Sequence, residues 1–269
     1  MKLLGSVAKQ ALAHTLQSRL SEFPRKSVCL SLFRIGDKSN DGVYLKEIIR
    51  TAKQFGIQTR LREFPSDAAM DAVKAVLLRD ANDPDVHGIL FMRPLPEVWE
   101  QKELLSLIPA EKDVDGIRFF EGGFAPCAAA SCLHLLDAYG ISVSGKQVAV
   151  IGRSDLVGRP LVQLLEQRNA LVTVCHSQTE RAWEQTKKAD VLFVACGVPR
   201  MVDDRYVHSK QVVVDVGFHV TDDGITGDVD YGEVFPKVAA LTPVPGGIGT
   251  ITVMTLLLHT VTAYERRTE

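Results

Sequence analysis

The chain has 269 residues, with 31 Lys+Arg against 33 Asp+Glu, a formal charge of −2, and 46% hydrophobic and 24% charged residues. These figures exclude disordered and collagen-like classes, remove the basic footprint of a nucleic-acid binder, and allow one large domain or two modest ones. At this length about three quarters of the unfolded surface can be buried, so a core needs neither metal nor disulfide.

The N-terminus, MKLLGSVAKQALAHTLQSRL, is interrupted by Lys9, Gln10, His14 and Gln17 and reads as an amphipathic helix. No apolar run approaches the ~18 residues that span a bilayer, so a cytoplasmic protein without membrane contact is expected. Short apolar runs then alternate with helical stretches: SVCLSLFRIG, VYLKEIIRTAKQFG, TRLREF, DAAMDAVKAVLLRDAN and HGILFMRP. This alternation predicts right-handed βαβ units and a parallel sheet. After the helical WEQKELLSLI comes IPAEKDVDGIRFFEGGFAPC, rich in Pro, Gly and acid, with little periodicity. It reads as a joint between domains, a common place for a binding cleft.

From about residue 128, AAASCLHLLDAYG leads into a second series: KQVAVIG, SDLVGRPLVQLLEQRN, ALVTVCHS, TERAWEQTKKA, DVLFVACG and QVVVDVG. Four β-rich runs separated by helical or turn segments predict a doubly wound nucleotide-binding sheet. TPVPGGIG then precedes the helical ITVMTLLLHTVTAYERR, which is expected to return to the first domain. The expected division is 1–121 plus 251–269 for the first domain and 122–250 for the second. Cys29, Cys127, Cys132, Cys175 and Cys196 are odd in number and form no CxxC pair. They read as buried free thiols, and no metal site is expected.

The strand KQVAVIG runs directly into Arg153-Ser154-Asp155-Leu156-Val157-Gly158-Arg159-Pro160. Gly152 permits a tight turn and Gly158 lets the following helix approach the sheet, so helix amides can face a pyrophosphate. Alone, such a turn is as often structural as ligand-binding. The next strand ends in Cys175-His176-Ser177-Gln178-Thr179, without the acid that an NAD-binding fold places against the ribose 2′-hydroxyl. Arg153, His176 and Ser177 offer donors suited to a 2′-phosphate, so NADP is expected over NAD. The plainer reading of His176 is a strand-end histidine hydrogen-bonded to its own loop.

Taken together, GRSDLVGRP, VTVCHSQT, ADVLFVACGVP, VVVDVGF, GDVD and TPVPGGIGTITV resemble the cofactor domain of the bifunctional methylenetetrahydrofolate dehydrogenase/methenyltetrahydrofolate cyclohydrolase (FolD) family. KDVDG, PC and GILFMRPLP resemble its substrate side. The resemblance implies two α/β domains flanking a cleft, the second a Rossmann-like doubly wound parallel sheet that binds NADP and mediates a homodimer. The substrates it implies are tetrahydrofolate one-carbon derivatives. By position it implies a phosphate-binding turn at Gly152, Arg153, Ser154, Val157, Gly158 and Pro160, and an adenosine-side loop at His176, Ser177 and Thr179. Cys196, Gly197, Asp215 and Gly217 fall at cofactor-facing strand ends, and Pro243, Gly246, Gly247 and Gly249 in the loop over the nicotinamide. The resemblance implies Tyr44 and Asp115 as catalytic residues, in a substrate pocket with Pro94, Leu95, Gly246 and Gly247 in which the Asp115 carboxylate would accept from the pterin's amino group and ring N–H together. Without the other motifs, an Asp in D-x-D-G reads as a turn cap.

The chain departs from the family pattern at the acid/base pair. Counted back from Gly56-Ile57, the family's Ser-x-x-Tyr-x-x-x-Lys puts the Tyr on Tyr44, the Lys on Ile48 and the Ser on Asp41, and the Gln before Pro-Leu-Pro falls on Met92. The PC-Thr-Pro segment has become Cys127-Ala128-Ala129, and the Pro after the GGxG turn is Thr250. Lys46 is close in sequence, but two residues along a helix turn a side chain by about 200°. Hydride transfer from the methylene bridge is driven by the substrate's own nitrogen and mainly requires contact, whereas hydrolysis needs a positioned acid/base worth ~10²–10⁴-fold. The sequence therefore leads to an NADP-dependent methylenetetrahydrofolate dehydrogenase with weak or absent cyclohydrolase activity. Three alternatives stay open: a bifunctional enzyme whose base has moved to Asp115, Lys46 or Arg93, an inactive folate and nucleotide binder, and a related dehydrogenase for another substrate.

Overall fold

The computed structural model describes residues 1–23, 27–36, 39–99 and 101–268. The chain forms two compact units, Met1–Ala11 with Ala128–Thr252 and Leu12–Cys127 with Val253–Glu269. Against the expected division, the changeovers fall at 127/128 and 252/253, and residues 1–11 join the later sheet. Backbone pairing explains this: Leu3 N–H donates to the Leu241 carbonyl at 2.9 Å and Leu241 N–H to the Met1 carbonyl at 3.0 Å. Helix α1 (Gly5–Leu20) starts in that unit and buries Ala8, Leu12 and Leu16 along one stripe.

The unit of residues 12–127 contains β1 (Cys29–Ile35), α2 (Ser39–Gln54), β2 (Gln58–Phe64), α3 (Met70–Asn82), β3 (Gly88–Phe91) and α4 (Gln101–Ser106). Its parallel sheet has the order β2-β1-β3, with Phe33 opposite both Arg62 and Phe91. The central strand is nearly continuous in apolar residues because both of its faces are covered. Phe33, Ile35, Ile89 and Phe91 pack with Val73 and Leu77 of α3 and Leu104 of α4. Alternation sends Leu30, Leu32 and Arg34 to the opposite face. Met92 N–H extends the ladder by donating to the Phe33 carbonyl at 2.8 Å, so Arg34 and Met92 project side by side from that second face. On α2, the buried Leu45, Ile48 and Ala52 recur at helical spacing.

The other unit contains α5 (Cys127–Ala138), β4 (Gln147–Ile151), α6 (Gly158–Gln167), β5 (Leu171–Cys175), α7 (Ala182–Thr186), β6 (Val191–Val194), β7 (Val212–Asp215), β8 (His219–Thr221), β9 (Gly224–Thr226), α8 (Tyr231–Val234) and β10 (Ala240–Leu241). The chain ends in α9 (Thr252–Thr268). Five parallel strands in the order β10-β7-β6-β4-β5 form a Rossmann-like sheet around Ala149, Ile151, Leu192, Val194 and Val213. The helix expected over TERAWEQTKKA shrinks to α7, with Arg181 at φ 49° just before it and the Thr186 hydroxyl bonded to the Tyr206 carbonyl at 2.7 Å. The edge strand β10 and the antiparallel β8–β9 hairpin extend beyond the expected strands.

All five cysteines are free, four of them buried and Cys196 half-buried. Among the described residues no helix is long and apolar enough to cross a membrane, and no cluster of His, Cys, Asp or Glu is arranged to hold a metal ion.

Candidate functional site

In the five-stranded sheet the strand order reverses between β4 and β6, and open α/β sheets take ligands outside the carboxyl ends at such a point. Gly152 lies there with φ 122°, and a β-carbon on it would stand 2.1 Å from the Ala195 carbonyl oxygen. A β-carbon on Gly158, the first residue of α6, would stand 2.4 Å from the Gly152 carbonyl oxygen. Only glycine at both positions lets the helix close on the strand end and aim its amides into the space beyond. The turn holds itself: Gly158 N–H donates to Ser154 Oγ at 3.4 Å and Arg159 N–H to the Ser154 carbonyl at 3.0 Å. Arg153 and Ser154 are exposed, Val157 is half-buried, and Pro160 is packed into the first helical turn.

Beyond β5 the loop closes on itself. His176 N–H donates to Thr179 Oγ1 at 3.0 Å, Thr179 N–H to the His176 carbonyl at 2.8 Å, and Gln178 N–H to His176 Nδ1 at 3.2 Å. Nδ1 is an acceptor, so the imidazole's remaining donor is Nε2–H. His176 thus serves its own loop, while Ser177 and Arg153 are among the exposed polar groups of this edge.

Two buried carboxylates tie the neighbouring strand ends together. Asp228 Oδ2 accepts the N–H groups of Cys196 at 2.7 Å and Gly197 at 2.9 Å, and its Oδ1 meets His219 Nε2 at 2.6 Å. Asp215 Oδ1 accepts from Gly217 N–H at 2.9 Å and Asp228 N–H at 3.0 Å, and Oδ2 from Val229 N–H at 3.0 Å. Burial pushes the Asp215 carboxyl up to about 7 despite those three donors, and pushes the Cys196 thiol up to about 12. Asp215 is therefore spent on backbone, and Cys196 is no thiolate nucleophile. A cavity of about 400 Å³ lies beside them, lined by Asp215, Gly217, Pro243, Gly246, Gly247 and Gly249 among others. The start of α1 fixes its loop, with Gly5 N–H donating to the Gly246 carbonyl at 2.8 Å. Gly246 and Gly247, expected on the substrate side as well, thus line a cavity of the unit that carries the phosphate-type turn. Asp228 was outside the set expected from sequence, although GDVD contains it.

In the other unit the strand order reverses between β1 and β3, which places Arg34 and Met92-Arg93 at the corresponding carboxyl ends. The KDVDG segment runs beside β3, with Ile89 N–H donating to the Lys112 carbonyl at 2.8 Å. Asp113, fully buried, accepts from Gly116 N–H at 3.2 Å and Arg118 N–H at 2.6 Å and is the residue that caps the turn. Burial raises its carboxyl to about 6. Gly116, at φ 84°, leaves room for Pro126, whose nitrogen would lie 2.4 Å from a β-carbon there. Cys127 Sγ donates to the Val114 carbonyl at 3.4 Å, and His259 Nδ1 stands 3.0 Å from the same oxygen.

Asp115 is left facing Arg93, with Nη2 3.4 Å from its Oδ2 and 27% of its side chain exposed. Enclosure raises its carboxyl above the ordinary range, and the Arg93 guanidinium pulls it back. Tyr44 is half-buried, Lys46 exposed, and Ile48, one turn beyond Tyr44 on α2, is fully buried, as Met92 nearly is. Pro94 is exposed, whereas the side chain of Leu95 packs into the core with Leu104 and Leu105. The side chain of Asp41 lies outside the described residues. Arg34, within 3.9 Å of the β-carbon position of Gly42, is a charged neighbour of this site that sequence reasoning missed.

Residues 3–115 match the tetrahydrofolate dehydrogenase/cyclohydrolase catalytic domain, and residues 126–268 match the NAD(P)-binding domain of the same enzymes. The chain belongs to the tetrahydrofolate dehydrogenase/cyclohydrolase family. It is 36% identical over 274 residues to the bifunctional protein FolD of Dictyoglomus turgidum, covering 98% of each chain. The crystal structure of bifunctional FolD from Campylobacter jejuni superposes with a TM-score of 0.93 at 32% identity, covering 99% of each chain. The Trypanosoma brucei methylenetetrahydrofolate dehydrogenase-cyclohydrolase, complexed with NADP cofactor and an inhibitor, gives a TM-score of 0.89 at 27% identity, over 100% of this chain and 98% of that one. As a tetrahydrofolate dehydrogenase/cyclohydrolase family member, the protein is an enzyme of folate one-carbon metabolism with an NAD(P)-binding domain.

Proposed function

We propose that this family member is an NADP-dependent methylenetetrahydrofolate dehydrogenase whose cyclohydrolase activity is weak or absent. The observation that carries the reading is Ile48, 0% exposed and one helical turn beyond Tyr44, where the family pattern has its lysine. Met92, 5% exposed, stands where the pattern has the glutamine.

The residues present fit the dinucleotide. The Gly152/Gly158 cradle suits a pyrophosphate, exposed Arg153 and Ser177 suit a 2′-phosphate, and the cavity beside Asp215 and Gly217 has the volume for a nicotinamide ring. Bound NADP⁺ supplies a hydride acceptor. On the folate side, Tyr44 and Pro94 flank the ligand and Asp115 accepts from the pterin's amino group and ring N–H. The substrate's own nitrogen lone pair expels the hydride from the methylene carbon, so holding the two partners in contact is the protein's main task.

Hydrolysis is different. Water must add to the methenyl carbon and protons must move to release one nitrogen, steps for which a positioned acid/base contributes ~10²–10⁴-fold. The apolar side chains of Ile48 and Met92, a hydrocarbon and a thioether, supply no such group. A homodimer in the cytoplasm, with no nucleic-acid partner, completes the reading, and the edge strand β5 with exposed Leu171 and Val174 supports the dimer. A second reading, full bifunctionality, draws on the raised Asp115 carboxyl as a relocated base.

The test is to supply methylenetetrahydrofolate with NADP⁺ or NAD⁺ and follow cofactor reduction. NADPH formation with a higher kcat/KM than NADH formation is expected. Binding of both ligands by calorimetry with no reduction would make the protein an inactive binder instead.

A further inference from the structure

Two neighbouring groups at the switch point of the three-stranded sheet are under-bonded. Arg93 Nε is buried and has no hydrogen-bond partner. The Asp115 carboxylate is also short of donors, because Asp113 has taken the N–H groups of Gly116 and Arg118. Its contact among the described residues is Arg93 Nη2, at a long 3.4 Å. A buried donor is unfavourable unless matched, so an unpaired Arg93 Nε–H beside a carboxylate with open acceptor positions and 27% of its side chain exposed reads as a face that a ligand can complete.

The order of donors and acceptors on that face specifies the ligand. Ionised Asp115 offers two acceptors and Arg93 Nε–H one donor. The pyrimidine edge of a 2-amino-4-oxopteridine presents the complement: two donors, from its 2-amino group and N3–H, followed by one acceptor, its 4-oxo oxygen. Resting on the reading that Asp115 receives the pterin, we propose that Arg93 is a specificity-determining residue whose Nε–H reads the 4-oxo group while Asp115 reads the two donors beside it. A 4-amino pteridine sets a donor against Nε–H, and a guanidinium cannot release that proton. Lysine would keep the charge but lose the planar, fixed N–H.

The experiment is equilibrium titration of the full chain, with NADP⁺ present, against folic acid and its 4-amino analogue, which differ at C4 and at N3, where only folic acid carries a proton. The N3 difference falls on Asp115 and is common to wild type and every Arg93 variant, so a change in the ratio reports Arg93. Wild type is expected to favour folic acid. In Arg93→Leu the ratio of the two dissociation constants should fall at least about tenfold, because folic acid loses its bond to Nε–H and the 4-amino analogue no longer leaves that donor unpaired. Arg93→Lys should show the same fall and serves if the leucine variant does not fold. An unchanged ratio in these variants, with folic acid still bound, overturns the role of Arg93. Failure of wild type to bind either compound, or to oxidise methylenetetrahydrofolate, overturns the folate reading on which it rests.

Discussion

Gly158 and Gly152 stand in backbone contact, so close that a β-carbon on the helix residue would lie 2.4 Å from the carbonyl oxygen of the strand residue. Because the obstacle is backbone, α6 must shift to accommodate any side chain. Gly158→Ala should therefore lose about 1–3 kcal/mol of stability, as overpacking generally does, and weaken NADP⁺ binding with it. Urea unfolding and a calorimetric NADP⁺ titration check both; wild-type values in the variant would show that the contact carries neither packing nor cofactor.

Much of this arrangement was legible from residue order alone. Alternating apolar and helical runs gave both parallel sheets, and the glycines of VAVIGRSDLVGRP gave the turn. The two-residue β10 is too short to carry a period, and its pairing with residues near Met1 is visible only in three dimensions. Asp113 and Asp115 are alike in KDVDG, and what separates them is that Gly116 and Arg118 present their N–H groups to the first. Asp228 escaped notice for a related reason: its partners Cys196, Gly197 and His219 come from separate strand ends.

Asp115→Asn replaces one acceptor by a donor on the face assigned to the pterin. A charge-assisted hydrogen bond is worth about 1.5–3 kcal/mol, so kcat/KM for methylenetetrahydrofolate should drop roughly 10- to 100-fold. Stability should change little, since the carboxylate's contact with Arg93 is long and partly exposed. Steady-state kinetics beside a thermal melt separate the two; unaltered kinetics would remove Asp115 from the site.

The pH dependence of stability has two opposing contributions near neutrality. His87 is buried, accepts Cys29 N–H through Nδ1 at 3.2 Å, and is lowered by desolvation from 6.5 to about 4. Between those values the unfolded chain binds the extra proton, so the contribution of His87 to stability grows as pH rises from about 4 to 6.5. Asp215 is raised from 3.8 to about 7, so its folded form keeps a proton that the unfolded chain has released. Its contribution is present at acid pH and declines as pH rises through that window. In urea unfolding from pH 4 to 8, the wild-type advantage over His87→Gln should widen up to about 6.5 and then stay level. The advantage over Asp215→Asn should narrow toward pH 7. Gaps independent of pH would contradict both assignments.

Restoring the polar pair should restore hydrolysis. Ile48→Lys alone places an amine at a fully buried position and should lower stability, because a buried charge without a partner is unfavourable. Ile48→Lys combined with Met92→Gln should raise methenyltetrahydrofolate hydrolysis by about 10²–10⁴-fold while leaving dehydrogenation of the same order. Hydrolysis that is already fast in wild type and insensitive to the double change would point to a base elsewhere.

The most direct measurement follows NADPH, methenyltetrahydrofolate and formyltetrahydrofolate together during one reaction of the wild-type protein with methylenetetrahydrofolate and NADP⁺. Methenyltetrahydrofolate should accumulate nearly mole for mole with NADPH, and formyltetrahydrofolate should form far more slowly than NADPH. Formyltetrahydrofolate keeping pace with NADPH, with no methenyl build-up, would contradict the account.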